Sequence, residues 1–486
     1  MSSRIWAAGA SIFLVLSVLL GGASAAGALA NAMLQSLSVL VIVALAWAGR
    51  LRVPSEARLL AWTVGCFLVL AAFTLIPLPL ALWQQLPYRG QLAEALGQLG
   101  ISSGSLAVSL APEATLWSLL GLLPPVAMFL LVTALPADRR GMLFGTVTAI
   151  AIASISLGIF QLLSGPQSMR PYEITNEGFP VGFFANVNHN ATLVLCALPC
   201  LASLGARFAG RRDRSRRSGG FIIIAGSVAF MVLGVGIMGS MAGYGLLIPA
   251  LFASALIYRR AIFPRISAAW RAVFTIVAVL FVVGALAGPL SQERLSAKFS
   301  DNPTSRKVIA ETTVEAVSEA FPVGTGLGTF SDVYRRFQDP AAASTEYVNH
   351  AHNDYLEIAL ELGLPGILLV LLFFAWWLGR SLHVWRHDVE NASSARAGSI
   401  IVGIVLLHSL VDYPIRTSAI AALFALGCAL LVSGRPHPHG RGERRGRATH
   451  ISITDDVAHD VASPARPGAG GARLDADGVR PQDGET

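Results

Sequence analysis

Long apolar runs separated by short polar breaks set the pattern of the chain up to about residue 433. A run of about 17–25 apolar residues is what an α-helix needs to cross a hydrocarbon core, where an exposed backbone would leave its polar groups unsatisfied. The pattern predicts about twelve spans, at roughly 5–22, 31–48, 59–77, 116–134, 142–164, 188–206, 221–239, 243–258, 272–289, 363–379, 397–411 and 417–433. The fold class that follows is an all-α polytopic membrane protein.

Between the spans lie segments of a different character. The largest, about 290–362, places Ile309, Ala316, Val317, Ala320 and Phe321 at helical spacing, with Pro303, Thr304 and Ser305 as a helix start. A large outer loop containing short helices is therefore expected. Another loop, about 78–115, opens on PLPLALWQQLP; its apolar residues and Trp83 suit an interfacial segment, with structural packing as its role. From residue 434 the chain turns rich in Gly, Pro, Arg and Asp and cannot bury enough apolar surface to fold. The expected division is a transmembrane catalytic domain over 1–433 and a disordered cytoplasmic tail over 434–486. Residues 1–30 fit either a cleavable signal or a first span; we take them as an uncleaved span.

Composition sharpens this picture. The chain is 54% hydrophobic but only 13% charged, against about a quarter charged for a soluble domain. The four cysteines lie inside apolar runs and make neither a disulfide framework nor a metal-finger spacing. The net charge of +7 is nearly all arginine, and its placement alternates. Arg50, Arg52, Arg58, Arg139, Arg140, the basic run at 207–217, the run at 259–271, Arg380, Arg386 and Arg396 fall in one set of loops. By the positive-inside rule these loops are cytoplasmic, as are both termini. The basic balance thus follows the membrane, and no nucleic-acid partner is expected.

The unusual polar residues gather in the opposite, outer loops. In GFPVGFFANVNHNATL, Asn186, Asn188, His189 and Asn190 stand at the mouth of a span; they either cap the helix or also hydrogen-bond a polyol. Arg306 and Lys307 occupy the first turn of the predicted loop helix. Two cations there are either a solvated basic pair or, with the free N–H groups, a site for phosphate. PVGTGLGTF follows, a glycine-rich turn that could let backbone approach a ligand. Then VNHAHNDYLEIALELGLPG brings His350, His352, Asn353, Asp354, Glu357 and Glu361 to the threshold of a span. These either form a polar first turn in water or meet a substrate, with a neutral imidazole as proton acceptor. HSLVDYPIRTSA adds His408, Asp412 and Arg416 at another mouth, placed to close one side of the same cavity.

His352-Asn353, nine residues, then Gly363-Leu364-Pro365-Gly366 resembles the signature of the O-antigen ligase and O-antigen polymerase superfamily. GFFANVNHNA, the Arg306 helix with PVGTGLGTF, and HSLVDYP are similar to other blocks of that family, over about 180–430. The resemblance implies a GT-C-like membrane glycosyltransferase with its active site in the periplasm, in the bacterial inner membrane. It would need no metal or other cofactor. It would move a glycan from an undecaprenyl diphosphate carrier to an acceptor hydroxyl. That acceptor is a second lipid-linked glycan, lipid A–core, or a protein serine or threonine; membrane lipids surround the chain. By the resemblance His352 is the catalytic histidine and Arg306 contacts diphosphate. The family often has Ser-Arg at the outer end of a mid-chain span; here the stretch reads Ser240-Met241, so a second cation is missing from that place. Arg170, Lys307, Arg335 and Arg416 are the candidates to replace it.

Breaking the anomeric C–O bond drives negative charge onto diphosphate, which guanidinium groups and helix N–H donors can stabilise. The hydroxyl attacking from the opposite face must lose its proton, and inversion is the expected outcome. The expected binding set is His350, Asn353, Glu357, Lys307, Asn186, Asn188, His189, Asp412 and Arg416. The rival readings are a lipid-linked glycan transporter or flippase and a protein O-oligosaccharyltransferase. A transporter would place ionisable groups near the midplane, whereas here the centres of the spans are nearly free of charge.

Overall fold

A computed structural model describes residues 3–23, 27–101, 103–165, 169–209, 214–257, 305–340, 348–387 and 389–434. In chain order its helices are α1 (Ser3–Leu20), α2 (Ala28–Trp47), α3 (Arg58–Phe73), α4 (Leu80–Trp83), α5 (Arg89–Gln98), α6 (Pro112–Leu120), α7 (Leu123–Thr133) and α8 (Gly141–Leu163). They continue with α9 (Val187–Ala209), α10 (Arg214–Met238), α11 (Met241–Leu256), α12 (Arg306–Ala320), α13 (Phe330–Phe337), α14 (Asp354–Arg386), α15 (Ala392–His408) and α16 (Ser418–Leu431). The protein is a helical, multi-pass membrane protein.

Among the described residues eight helical segments are long and apolar enough to cross a bilayer, counting α6 and α7 as one. Pro124 and Pro125 restart the helix there, since proline suits a first turn but cannot donate within one. Three shorter apolar helices, α11, α15 and α16, complete the bundle. The 14 residues of α16 rise only about 21 Å. The span expected at 272–289 and the tail from 435 onward lie outside the described residues.

The core is organised around α9. It packs against α8, α10, α11, α15 and α16, and 78% of its apolar window is buried, against 22% for α2 and for the span containing α3. Leu40, Val43, Trp47, Trp62 and Phe73 of those two outer helices are exposed, as expected of a lipid-facing surface. Some polar side chains inside the spans are satisfied by their own helix: Ser17, Ser38 and Thr148 each donate to the carbonyl four residues back.

One end of the bundle holds a group of arginines that includes Arg50, Arg140 and Arg380. Arg50 donates to Ala134 O at 3.4 Å, Arg140 to Leu135 O at 3.0 Å, and Arg380 to Gly434 O at 2.8 Å. The other end is built from the loop expected at 78–115 and from the large loop. Pro77–Pro79 (β1) pairs antiparallel with Ser105–Ala107 (β2), a hairpin-like contact that the sequence reading missed. Trp83 is packed into this end, 3% exposed, and donates to Ala107 O.

Arg89 fixes this end. It is fully buried and donates to Pro87 O at 3.0 Å, to Val108 O, and to Gly324 O at 3.0 Å. Burial lowers its pKa to about 10, so the guanidinium stays charged at neutral pH. The glycine-rich turn is docked on protein rather than open to a ligand. Thr325 N donates to Leu360 O at 3.0 Å and Gly326 N to Glu361 O at 2.8 Å. A Cβ on Gly324 would stand 2.6 Å from Glu361 O. The partner surface is a kink in α14 at Gly363, with φ 56° and ψ −147°. α14 therefore comprises a short outer helix and a long apolar one, joined where the sequence motif begins its Gly-Leu-Pro-Gly run.

Candidate active site

Five segments deliver polar residues to one point at the end of the bundle away from the arginines. They are the start of α9, the turn before α11, the start of α12, the start of α14, and the 409–417 turn between α15 and α16. Each helix begins where its sequence supplies a cap. Ser305 Oγ accepts from Val308 N at the start of α12. Asn353 Oδ1 accepts from Tyr355 N and Leu356 N at 3.0 Å each. Asn186 Oδ1 accepts from Asn188 N at 2.8 Å. Capping thus accounts for Asn186 and for the side-chain oxygen of Asn353; the Asn353 amide donates to Leu410 O.

Asp412 is the first hub. Its side chain is fully buried, and it is contacted from four directions. Arg306 Nη2 donates to Oδ2 at 3.2 Å, and Asn188 Nδ2 donates to the same oxygen. Tyr413 N donates to Oδ1 at 2.9 Å, and His352 Nδ1 stands 3.5 Å from Oδ1. Ser240 Oγ in turn donates to Asn188 Oδ1 at 2.7 Å and accepts from Gly243 N at the start of α11. Burial alone would raise the Asp412 pKa. His352 and Arg306 outweigh it and hold the carboxyl well below its usual range. Arg306 remains 42% exposed while it makes this contact, and His352 24%. His352 also has φ 51°, a left-handed conformation unusual outside glycine.

Arg416 is the second hub. Its Nη1 lies 2.8 Å from Glu361 Oε2 and 3.4 Å from Glu357 Oε1, and its Nε lies 3.6 Å from Asp354 Oδ1. Burial works against the guanidinium's charge, but Glu357, Glu361 and Asp354 prevail and push its pKa above the ordinary arginine value. Asp354 also accepts from Ser409 Oγ at 2.7 Å. Glu357 accepts from Ala351 N at 2.9 Å and bonds His350 Nδ1 at 2.8 Å. Glu357 and Glu361, four residues apart on α14, lie on one face and both meet Arg416.

Tyr413 lies between the hubs, 3% exposed. Ring centroids of His350, His352 and His189 stand 4.2, 5.1 and 5.1 Å from its ring. His189 is fully buried, and neither ring nitrogen has a hydrogen-bond partner among the described residues. Asn190, beside it, is turned into the bundle, accepting from Ser154 and donating to Pro180 O. Lys307 lies exposed in the first turn of α12 beside Arg306.

The structure therefore brings Arg306, His352, His350, Asn353, Glu357, Asn188, His189, Asp412 and Arg416 together, with Lys307 and Asn186 at the edge. The sequence reading missed Tyr413 and Ser409, placed Asp354 at the threshold of the span without a partner, and gave Ser240 no task. Tyr413 and Ser409 carry no local signal; only the return of the 409–417 turn onto α14 reveals them. Met241, where the second cation is missing, is 37% exposed. Of the candidate replacements, Arg170 donates to the carbonyls of Asn176 and Phe179, and Arg416 is committed to three carboxylates.

None of the curated proteins compared with the chain matches it. Residues 226–371 match the family model for O-antigen ligase, Wzy_C. That stretch contains Arg306, the glycine-rich turn, both histidines of the His-Ala-His run and the Gly363 kink, and the match agrees with the resemblance to the O-antigen ligase and polymerase superfamily.

Proposed function

We propose that the protein is a metal-independent, inverting glycosyltransferase of the inner membrane, moving a glycan from undecaprenyl diphosphate to an acceptor hydroxyl at the periplasmic face. The observation that carries this reading is the shared carboxylate: Asp412 holds a half-exposed guanidinium, Arg306, and an imidazole, His352, at one mouth of the bundle. Arg306, with Lys307 and the free N–H groups of α12, binds the diphosphate and takes up the charge that develops as the C–O bond breaks. His352 accepts the proton of the attacking hydroxyl, a contribution of roughly 10²–10⁴-fold. The buried Asp412 carboxylate favours the imidazolium that results.

Asn188 and Ser240 orient Asp412, while Arg416 and Glu357 hold the wall behind His350. The polar rim of Asn353, His350 and Lys307 faces the substrates. The carboxylates are already occupied by arginine, amide and backbone donors, an arrangement suited to positioning rather than to ligating a metal. The arginine-rich opposite end is the cytoplasmic one by the positive-inside rule.

The rival reading as a lipid-linked glycan flippase is separated by proteoliposomes. A flippase moves labelled lipid-linked glycan between leaflets, whereas a transferase releases undecaprenyl diphosphate without moving the substrate. The acceptor is read from the surface polysaccharide of a deletion strain. Long glycans left on the carrier identify a ligase, single repeats a polymerase, and intact polysaccharide with loss of glycoprotein an oligosaccharyltransferase. Wild-type surface glycans and glycoproteins in that strain, with no transfer by the purified protein, would reject the proposal.

A further inference from the structure

The site contains two carboxylate–imidazole pairs, and the tighter one is not at His352. His350 Nδ1 lies 2.8 Å from Glu357 Oε1, whereas His352 Nδ1 lies 3.5 Å from Asp412 Oδ1 and makes no hydrogen bond among the described residues. Resting on the transferase reading, we propose that His350 is a second proton acceptor for the attacking hydroxyl, with Glu357 as its orienting carboxylate.

The tautomer follows from the surroundings of Glu357. Its carboxylate is 1% exposed and receives Ala351 N on Oε2 and Arg416 Nη1 near Oε1. A carboxylate held by these donors is an acceptor only, so Nδ1 of His350 carries the hydrogen and Nε2 presents its lone pair. The His350 side chain is 19% exposed, and its Nε2 has no protein partner among the described residues. A fixed tautomer with an open Nε2 is the arrangement a general base needs. Burying three carboxylates around one guanidinium is costly if only packing is served, because apolar side chains would pack as well. Fixing an imidazole gives the cluster a task.

The step balances simply. The acceptor O–H bond breaks and its proton goes to Nε2 of His350. The oxygen forms the new bond to the anomeric carbon, and the C–O electron pair leaves on the diphosphate. The imidazolium formed keeps its Nδ1–H on Glu357. The charged and titratable groups around His350 are Glu357, Asp354 and Glu361 of α14, Arg416 and Asp412 of the 409–417 turn, His189 of α9, His352 and the Tyr413 phenol.

The test uses the full-length protein in nanodiscs with a synthetic undecaprenyl diphosphate-linked disaccharide serving as donor and acceptor, reading product formation and carrier release. His350→Asn keeps an N–H for Glu357 and removes the proton acceptor. We expect its kcat to fall at least about 10-fold, with donor KM and thermal midpoint near wild type. His352→Ala should leave a residual rate that still falls as pH drops through the imidazole range, and adding His350→Asn should abolish that acid limb. His350→Asn at the wild-type rate, or a His352→Ala residual rate that is flat with pH and indifferent to His350→Asn, would overturn the proposal. Absence of transfer by the wild-type protein would instead reject the transferase reading itself. If His350→Asn unfolds, Glu357→Gln supplies the same pH readout, and an unchanged profile in that variant also counts against the idea.

Discussion

Arg306 and His352 meet opposite oxygens of one buried carboxylate, at 3.2 and 3.5 Å. In the proposed transfer, the cation assigned to the diphosphate and the imidazole assigned to the proton are therefore set at a fixed separation by Asp412, not by their own flexible side chains. Asp412→Asn should lower stability by about 1.5–3 kcal/mol, the range for hydrogen bonds to a charged group. The folded-state pKa of Asp412 is depressed, so its contribution is complete above the unfolded value of about 4 and is lost as pH falls through the lower folded value. The gap between wild type and variant in thermal midpoint should be constant from about pH 5 to 8 and narrow below about pH 4.

Arg416 lies against three buried carboxylates, Asp354, Glu357 and Glu361. Arg416→Ala would leave Asp354, Glu357 and Glu361 buried without it, at a cost of about 3–5 kcal/mol. The expected outcome in detergent is a large drop in thermal midpoint or loss of the folded monodisperse peak. Arg416→Lys should recover part of the loss, since one ammonium cannot reproduce contacts made by both Nη1 and Nε.

Met241→Arg tests the missing cation. Met241 follows Ser240, whose hydroxyl is bonded to Asn188 and so lies one residue from the Asp412 hub. Its exposure leaves room for a longer side chain. A cation at the start of α11 costs about 0.3–1 kcal/mol in stability. Donor KM should nevertheless fall several-fold, measured by titrating the lipid-linked donor at fixed acceptor.

Gly363→Ala should be severely destabilising. Its φ of 56° with ψ −147° is a conformation reserved for glycine, and an added Cβ would lie 2.1 Å from Pro322 O. We expect a loss above about 2 kcal/mol with activity falling in parallel, because the kink docks the glycine-rich turn that anchors α12.

The membrane architecture was legible because lipid imposes one rule on every span. Eleven of the twelve expected spans coincide with described helices, and the other, at 272–289, lies outside the described residues. Ends were less legible: the span expected at 363–379 is the apolar half of α14, which runs from Asp354 to Arg386, because helix continues through the polar outer turns. Polar residues at span mouths identified most of the candidate site, since charge there needs a reason. Which groups pair with which was hidden. Arg416 reads as a free cation in sequence, and only the approach of the 409–417 turn to α14 shows it neutralised. The glycine-rich turn reads as a turn that can also approach a ligand, and its glycines permit close packing on Glu361, Ser109 and Ala114.

The most direct measurement is transfer by purified, folded protein in nanodiscs, comparing wild type with Arg306→Ala and His352→Ala on an undecaprenyl diphosphate-linked glycan. Wild type should release the carrier and form product. Arg306→Ala should lose donor affinity and turnover, and His352→Ala should lose roughly 10²–10⁴-fold in turnover at neutral pH. Wild-type rates in both folded variants would contradict the placement of the chemistry at Asp412.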